Sequence, residues 1–327
     1  MFNLTKTNKC VIIFSQERGD NMASVPNGMN DAYVNYFSLS DYVDKIVLSP
    51  DLFEHLQDTN HDFIEYLKKI AKYDENYIVD YWIYLQYREL SYNQKIENIE
   101  FDKINLLDNS IFFNTLNISH KRIHELHNFA VKGQYEPTFE YRKCDVRHSR
   151  YNINGEEDIF WRGANYQDVY KFMTDFIKIY KQKDISILMS NPFLKSALIH
   201  LLFIRIHPYN DGNSRTARLL HNAKFTEGIN NIYGTKLKIS PLNLSNSIYV
   251  NKVSYLQRLN NIYFDLEHDC NDEINDWFNM MLNMADEQIF YSTNKLDSID
   301  DSFLREIDEK ERDYNTNKSM LVKSLKK

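Results

Sequence analysis

His207-Pro208-Tyr209-Asn210-Asp211-Gly212-Asn213-Ser214-Arg215-Thr216-Ala217-Arg218 packs an imidazole, a carboxylate, a Gly-Asn turn and two guanidinium groups into one short stretch. Each of these groups suits the handling of a nucleotide polyphosphate. An imidazole accepts a proton near neutral pH, and a carboxylate is a hard oxygen ligand for Mg2+. Gly212 lets the backbone turn tightly, so the amides that follow can converge as an anion-binding nest. Arg215 and Arg218 lie three apart and share a face of any helix beginning near Asn213. That face offers two forked donors to phosphate oxygens. The plainer reading, a polar loop between two core helices, does not explain why base, metal ligand and anion binders gather here.

Helices flank the stretch on both sides. Asn191-Pro192 reads as an N-cap followed by proline at the first helical position. Leu194, Ala197, Leu198, Leu201, Leu202 and Ile204 then make the segment apolar almost all round, which predicts a buried central helix ending at His207. The next helix is predicted over 214–225, with Leu219 and Leu220 toward the core. Upstream, Phe63, Ile64, Leu67, Ile70 and Ala71 recur at helical spacing, as do Val79, Trp82, Ile83 and Leu90 over 77–90. Ser119 caps a predicted helix over 119–131. Asn165 caps another, with Asp168 in its first turn and Val169, Phe172, Met173, Phe176 and Tyr180 on the apolar side. Tyr249, Val253, Leu256 and Leu259 mark a further helix, and Trp277, Phe278, Met281, Leu282 and Ala285 the last.

Composition agrees with a helical chain. Only 8 glycines and 6 prolines occur in 327 residues, below the roughly 7% and 5% of average usage, as long helices with few tight turns require. With 43% hydrophobic residues the chain can bury a sizeable core, and its net charge of −7 offers nucleic acid or an anionic membrane no general attraction. Cys10, Cys144 and Cys270 are odd in number and far apart, which reads as reduced thiols and a cytoplasmic protein. No apolar run reaches a membrane span, and the start lacks a signal-peptide layout. His120, His124 and His127 invite a metal reading, but their spacing is one residue short of the zinc-protease pattern. A core-contacting His127 beside Ile123 and Leu126 is the better reading.

The stretch 207–218 resembles the Fic family signature, His-Pro-aromatic-x-acid-Gly-Asn-x-Arg-x-x-Arg. All the specified positions are filled, with Tyr209 as the aromatic; Ser214 stands where the family commonly has Gly. The resemblance implies an all-α Fic-type fold with a small β-hairpin flap. It implies transfer of AMP from ATP, with Mg2+, to a Tyr, Thr or Ser hydroxyl of a target protein. In it His207 removes the hydroxyl proton, and Asp211 holds Mg2+. The amides of Gly212, Asn213 and Ser214, with the Asn213 side chain, face the α-phosphate. Arg215 holds the departing pyrophosphate, and Arg218 the γ-phosphate.

The likeness extends over about 89–290. Fic proteins carry an inhibitory helix with Ser or Thr, three residues, Glu, then Gly or Asn. Glu97-Asn98 fits its end, Asn93 stands where Ser or Thr is expected, and its position ahead of the core matches the N-terminally inhibited members. By that resemblance Glu97 pairs with Arg218 and excludes the γ-phosphate. Asp158, Ile159, Phe160 and Trp161 fall where the family has the flap that aligns a target by main-chain pairing. Asn251 and Tyr255 are candidates for holding adenosine, with packing the alternative use of Tyr255. The resulting division is 1–110 helical with the inhibitory helix, 111–230 catalytic core, 231–295 completing helices and 296–327 a charged tail. A homodimer is compatible with N-terminal inhibition; neither nucleic acid nor membrane is expected as partner. Another nucleotide donor, AMP removal with Glu97 orienting water, or a non-catalytic ATP sensor remain alternatives.

Overall fold

The computed structural model describes residues 33–73, 75–99, 117–151, 157–182, 186–235, 237 and 239–296. In chain order these form α1 (Leu39–Asp44), α2 (Pro50–Ile70), α3 (Glu75–Lys95), α4 (His120–Ala130), β1 (Arg147–Tyr151) and β2 (Glu157–Arg162). Then follow α5 (Val169–Lys181), α6 (Ile187–Ser190), α7 (Pro192–Ile206), α8 (Asn213–Tyr233), α9 (Leu244–Val250), α10 (Lys252–Asn261) and α11 (Asn271–Lys295). The fold is all-α with one antiparallel hairpin. The expectations for most of 1–40 and for the charged tail beyond Leu296 lie outside the described residues, as does Cys10.

Helix α7 is the axis. The Asn191 side chain accepts from the amides of Phe193 at 2.9 Å and Leu194 at 3.2 Å, and Pro192 occupies the first helical position. Every residue from Pro192 to Ile206 is buried, as a segment apolar all round requires. Helix α8 lies along it, α5 and α11 cover other sides, and α3 and α4 close over α8. Trp277 of α11 reaches the axis directly, its indole donating to Ala197 O at 3.1 Å. Ser119 caps α4 as expected, accepting from Arg122 N at 3.2 Å.

Four boundaries differ from the sequence reading, the simplest being α8, which runs on to Tyr233 instead of ending at 225. The segment carrying Asn93 continues α3 rather than forming its own helix, because Ser91, Asn93 and Gln94 are buried, with Asn93 holding Arg218 and Gln94 Nε2 donating to Ala130 O at 3.3 Å. Asn165 sits upstream of α5: its side chain holds Gln167 N at 3.1 Å in a local turn, and Asp168 occupies the cap position. The helix expected around Tyr249 and Val253 breaks at Asn251 into α9 and α10, leaving those two side chains 45% and 48% exposed.

The hairpin stands where a flap was expected. Its register pairs Arg147 with Arg162 and His148 with Trp161, then slips, so that Ser149 faces Ile159. Val34 adds a short parallel bridge at Ala164, accepting from Asn165 N at 2.7 Å. Gly163 is where the hairpin meets the loop beneath it. A Cβ there would come within 2.9 Å of Val146 Cγ2 and 3.1 Å of Arg142 Nη2.

Candidate active site

The chain leaves α7 through His207, whose backbone is left-handed at φ 54° and ψ 62°. A non-glycine residue holds that conformation only when its surroundings over-determine it, and Arg142 supplies the constraint. Its Nε donates to His207 O at 2.7 Å, its Nη1 to Cys144 O at 2.7 Å, and its Nη2 to Ala164 O and, at 3.5 Å, Ile206 O. Arg142 N also donates to Pro208 O at 2.9 Å. One buried guanidinium thus ties the end of α7 to both edges of the hairpin. Burial pulls its pKa down to about 10, with Asp145 opposing.

The His207 ring is oriented by its own helix. Nδ1 lies 3.3 Å from Ile204 O, which can only accept, so Nδ1 carries the hydrogen and Nε2 keeps its lone pair. Burial pushes the pKa of His207 well below its usual value, and His148 and Arg142 add to the effect. The imidazole is therefore neutral at physiological pH, the form a general base requires. Trp161 of β2 covers it with ring centroids 4.8 Å apart, and His148 of β1 meets it at 5.7 Å with planes at 86°.

Beyond His207 the loop is closed by Asn213. Its side-chain oxygen accepts from Tyr209 N at 2.9 Å, and its Nδ2 donates to Tyr209 O at 2.8 Å. The Asn213 side chain is thereby engaged in shaping the loop. Gly212 is required twice over. Its φ is +75°, and an added Cβ would lie 2.3 Å from Val131 Cγ1 and 2.9 Å from His127 Cε1.

Helix α8 starts at Asn213 with no side-chain cap. Thr216 N, bonded to Gly212 O at 3.0 Å, is the first amide with an intrahelical acceptor. The amides before it form the positive end of a long helix, a ready anion site. Two buried arginines flank it and diverge. Arg215 reaches Gln134 Oε1 at 2.6 Å, Ala130 O at 3.4 Å and Asp211 Oδ2 at 3.2 Å. Arg218 turns to α3, donating from Nε to Asn93 Oδ1 at 2.5 Å and from Nη2 to Asn93 O at 3.1 Å and Glu97 Oε1 at 2.8 Å. Arg215 Nε and Arg218 Nη1 are buried donors with no partner among the described residues.

The Glu97 end of α3 is held by chain geometry. Asn98 adopts φ 56°, and Ile99 N donates back to Gln94 O at 3.2 Å, closing the helix as a left-handed C-terminal turn does. Lys252 Nζ caps the freed Ile96 carbonyl at 2.7 Å. A residue tolerant of positive φ must therefore follow Glu97. The Asn93 side chain ties α3 to α8. It accepts from Arg218, and its amide donates to Arg215 O at 3.4 Å.

Two histidines of α4 pack against Tyr209. His127 stacks on Tyr209 at 3.6 Å and meets Thr216 Oγ1 at 3.4 Å, while His124 Nδ1 pairs with Tyr209 OH at 2.8 Å. No cluster of metal-ligating side chains occurs among the described residues. Tyr255 is buried with its hydroxyl on His200 Nε2 at 2.7 Å, beneath the Arg218 region. Asn251 is tied to Ser247 O at 3.1 Å and to Glu287. The β2 backbone carries Asp158, Ile159, Phe160 and Trp161 along the hairpin, and Trp161 faces His207. Sequence reasoning missed Arg142, His148 and Tyr135, the last of which donates to Asp211 Oδ2 at 2.7 Å. None stands in a motif read from the residues, and only the fold brings them to the loop.

The Fic/DOC family model matches residues 117–223, the span from the cap of α4 to the middle of α8. This segment is a Fic/DOC family domain. The family generally transfers nucleotide-derived groups onto proteins. Comparison with the curated proteins found no match. Among solved structures, a Fic family protein from Desulfovibrio desulfuricans is similar at 15% identity and a TM-score of 0.49, over 79% of this chain and 78% of its own. A Fic domain-containing signaling protein from Bacteroides thetaiotaomicron aligns at 19% identity and 0.40, over 80% and 97%. Fic-1 of C. elegans aligns at 16% identity and 0.45, over 80% and 73%. The assignment rests on the matched segment and its signature residues. Among the described residues no helix is long and apolar enough to cross a membrane.

Proposed function

We propose that this Fic domain transfers AMP from ATP to a hydroxyl of a target protein and is restrained by its own Glu97. The observation that carries this is the junction of a neutral, Nε2-accepting imidazole with an anion cradle. The cradle has unmatched buried donors on both Arg215 and Arg218. A polyphosphate would supply the acceptors those donors lack. His207 Nε2 would take the proton of the acceptor hydroxyl as its oxygen attacks the α-phosphorus and pyrophosphate departs. The amides at the start of α8 would stabilise charge on the α-phosphate oxygens, Arg215 would hold the leaving pyrophosphate, and Arg218 the γ-phosphate.

Asp211, one-third exposed at the rim of the cradle, is a hard oxygen donor suited to Mg2+. That ion would supply charge neutralisation to the polyphosphate. Attack at the α-phosphorus follows the family resemblance, since the residue types alone do not choose among phosphates.

Label transfer with Mg2+ tests the reading, comparing ATP labelled at the α- and γ-phosphates and scoring self-labelling and labelling in a lysate. The expected result is α-label only, stronger in Glu97→Gly than in wild type and absent when His207→Ala is added. No label from either position in Glu97→Gly would overturn it.

A further inference from the structure

Three of the roughly four acceptor positions of Asp211 are occupied by the protein itself, including both on Oδ2. Oδ1 accepts from Gly212 N at 2.6 Å; Oδ2 accepts from Arg215 Nη2 at 3.2 Å and from Tyr135 OH at 2.7 Å. A carboxylate oxygen offers two in-plane lone pairs, so a cation arriving at Oδ2 must displace one of these donors. The two are unequal. Arg215 is 1% exposed and holds Gln134 and Ala130 O as well, so moving it would orphan a buried charge. Tyr135 is 56% exposed, and among the described residues its hydroxyl has that one hydrogen bond. It follows Gly133, which turns at φ +82° with nothing within 4 Å of an added Cβ, and it lines a cleft of about 360 Å³ shared with Asp211, Glu136 and Lys143. The ring has an open space to swing into.

We propose that the Tyr135 hydroxyl is the exchangeable partner of Asp211: a divalent cation and Tyr135 compete for Oδ2, and cation entry releases the Tyr135 ring into the cleft. This deepens the proposed function, because it takes Asp211 as the cation ligand. It makes Tyr135 a second restraint on the site beside Glu97, acting on the cation where Glu97 acts on the γ-phosphate. The Tyr135 hydroxyl loses its proton less readily because of this same hydrogen bond to Asp211.

Binding of Mn2+ alone to the full chain, read from the free-ion electron paramagnetic resonance signal, tests this without any transfer reaction. The variants are wild type, Tyr135→Phe, Asp211→Asn and the double variant. Losing one hydrogen bond to a charged acceptor corresponds to an affinity gain of about tenfold. The expected result is therefore Mn2+ bound about tenfold more tightly by Tyr135→Phe and lost in both chains carrying Asp211→Asn. Equal or weaker binding by Tyr135→Phe, with Asp211 still required, overturns the competition and leaves the cation site standing. Binding indifferent to Asp211→Asn, or absent from every variant, overturns both. A thermal melt of Tyr135→Phe matching wild type ties any gain to the contact rather than to altered folding.

Discussion

The Arg218 guanidinium, wholly buried, donates from Nη2 to Glu97 Oε1 at 2.8 Å, and the carboxylate is one-third exposed. The pair closes the far end of the proposed anion cradle, where on the proposed reading a phosphate would replace the carboxylate. Removing Glu97 takes the one carboxylate from Arg218 among the described residues and leaves it held by Asn93. Glu97→Gly is expected to lower apo stability by about 1–2 kcal/mol, less than a fully buried pair because Glu97 touches solvent. ATP should restore the loss while ADP restores little, which paired thermal melts will read.

Asn93 is the second anchor of that guanidinium. In Asn93→Ala, the buried Nε loses its acceptor, which costs about 1–3 kcal/mol. Chemical denaturation should show the drop, and α-label transfer should rise because Glu97 is held less firmly. Unchanged stability would mean that Arg218 finds another acceptor.

Gly212→Ala places a Cβ into Val131 and His127 at a left-handed φ. Strain and overpacking together predict a loss of about 2–5 kcal/mol. The same variant should fail in label transfer even well below its melting temperature, because the α8 amides shift.

Arg142→Lys keeps the charge but cannot reach several carbonyls at once. The left-handed His207 then loses its clamp. The expected outcome is label transfer reduced about a hundredfold in the Glu97→Gly background, with ATP affinity by calorimetry changed by less than about threefold. A fall in affinity matching the fall in rate would argue against a positioning role.

Acid should destabilise the fold through buried histidines. Burial pulls His127 and His221 down to about 3, while in the unfolded chain each protonates near 6.5. The sign follows: folded pKa lies below unfolded, so the unfolded state gains protons first. The contribution is intact above pH 6.5 and declines as pH falls toward 3. Each site removes about 2 kcal/mol between pH 7.5 and 5. Denaturant midpoints at those two pH values should separate accordingly, and His221→Gln should narrow the gap.

Much of the site could be read from the chain because its groups are neighbours along it. His207, Asp211, Gly212, Arg215 and Arg218 lie within one loop and helix turn, and local spacing fixes their mutual reach. The buried axis was equally legible, since α7 is apolar on all sides and carries its own start signal at Asn191-Pro192. Glu97 and the hairpin were placed by family likeness, and the Glu97–Arg218 contact is found in the fold. The boundaries of α3 and of the α9–α10 break were not legible. Buried polar contacts, such as Glu89 with Ser245 and Asn222, override the hydrophobic period there.

The sequence by itself determined the helical class, the central helix and the chemical cast of the 207–218 loop, because periodicity and capping act over a few residues. The tertiary structure alone decided which partners hold that loop. Arg142 lies 65 residues from His207, Tyr135 lies 76 from Asp211 and Asn93 lies 125 from Arg218. Contacts across such separations depend on how helices pack, and no local pattern in the chain encodes them.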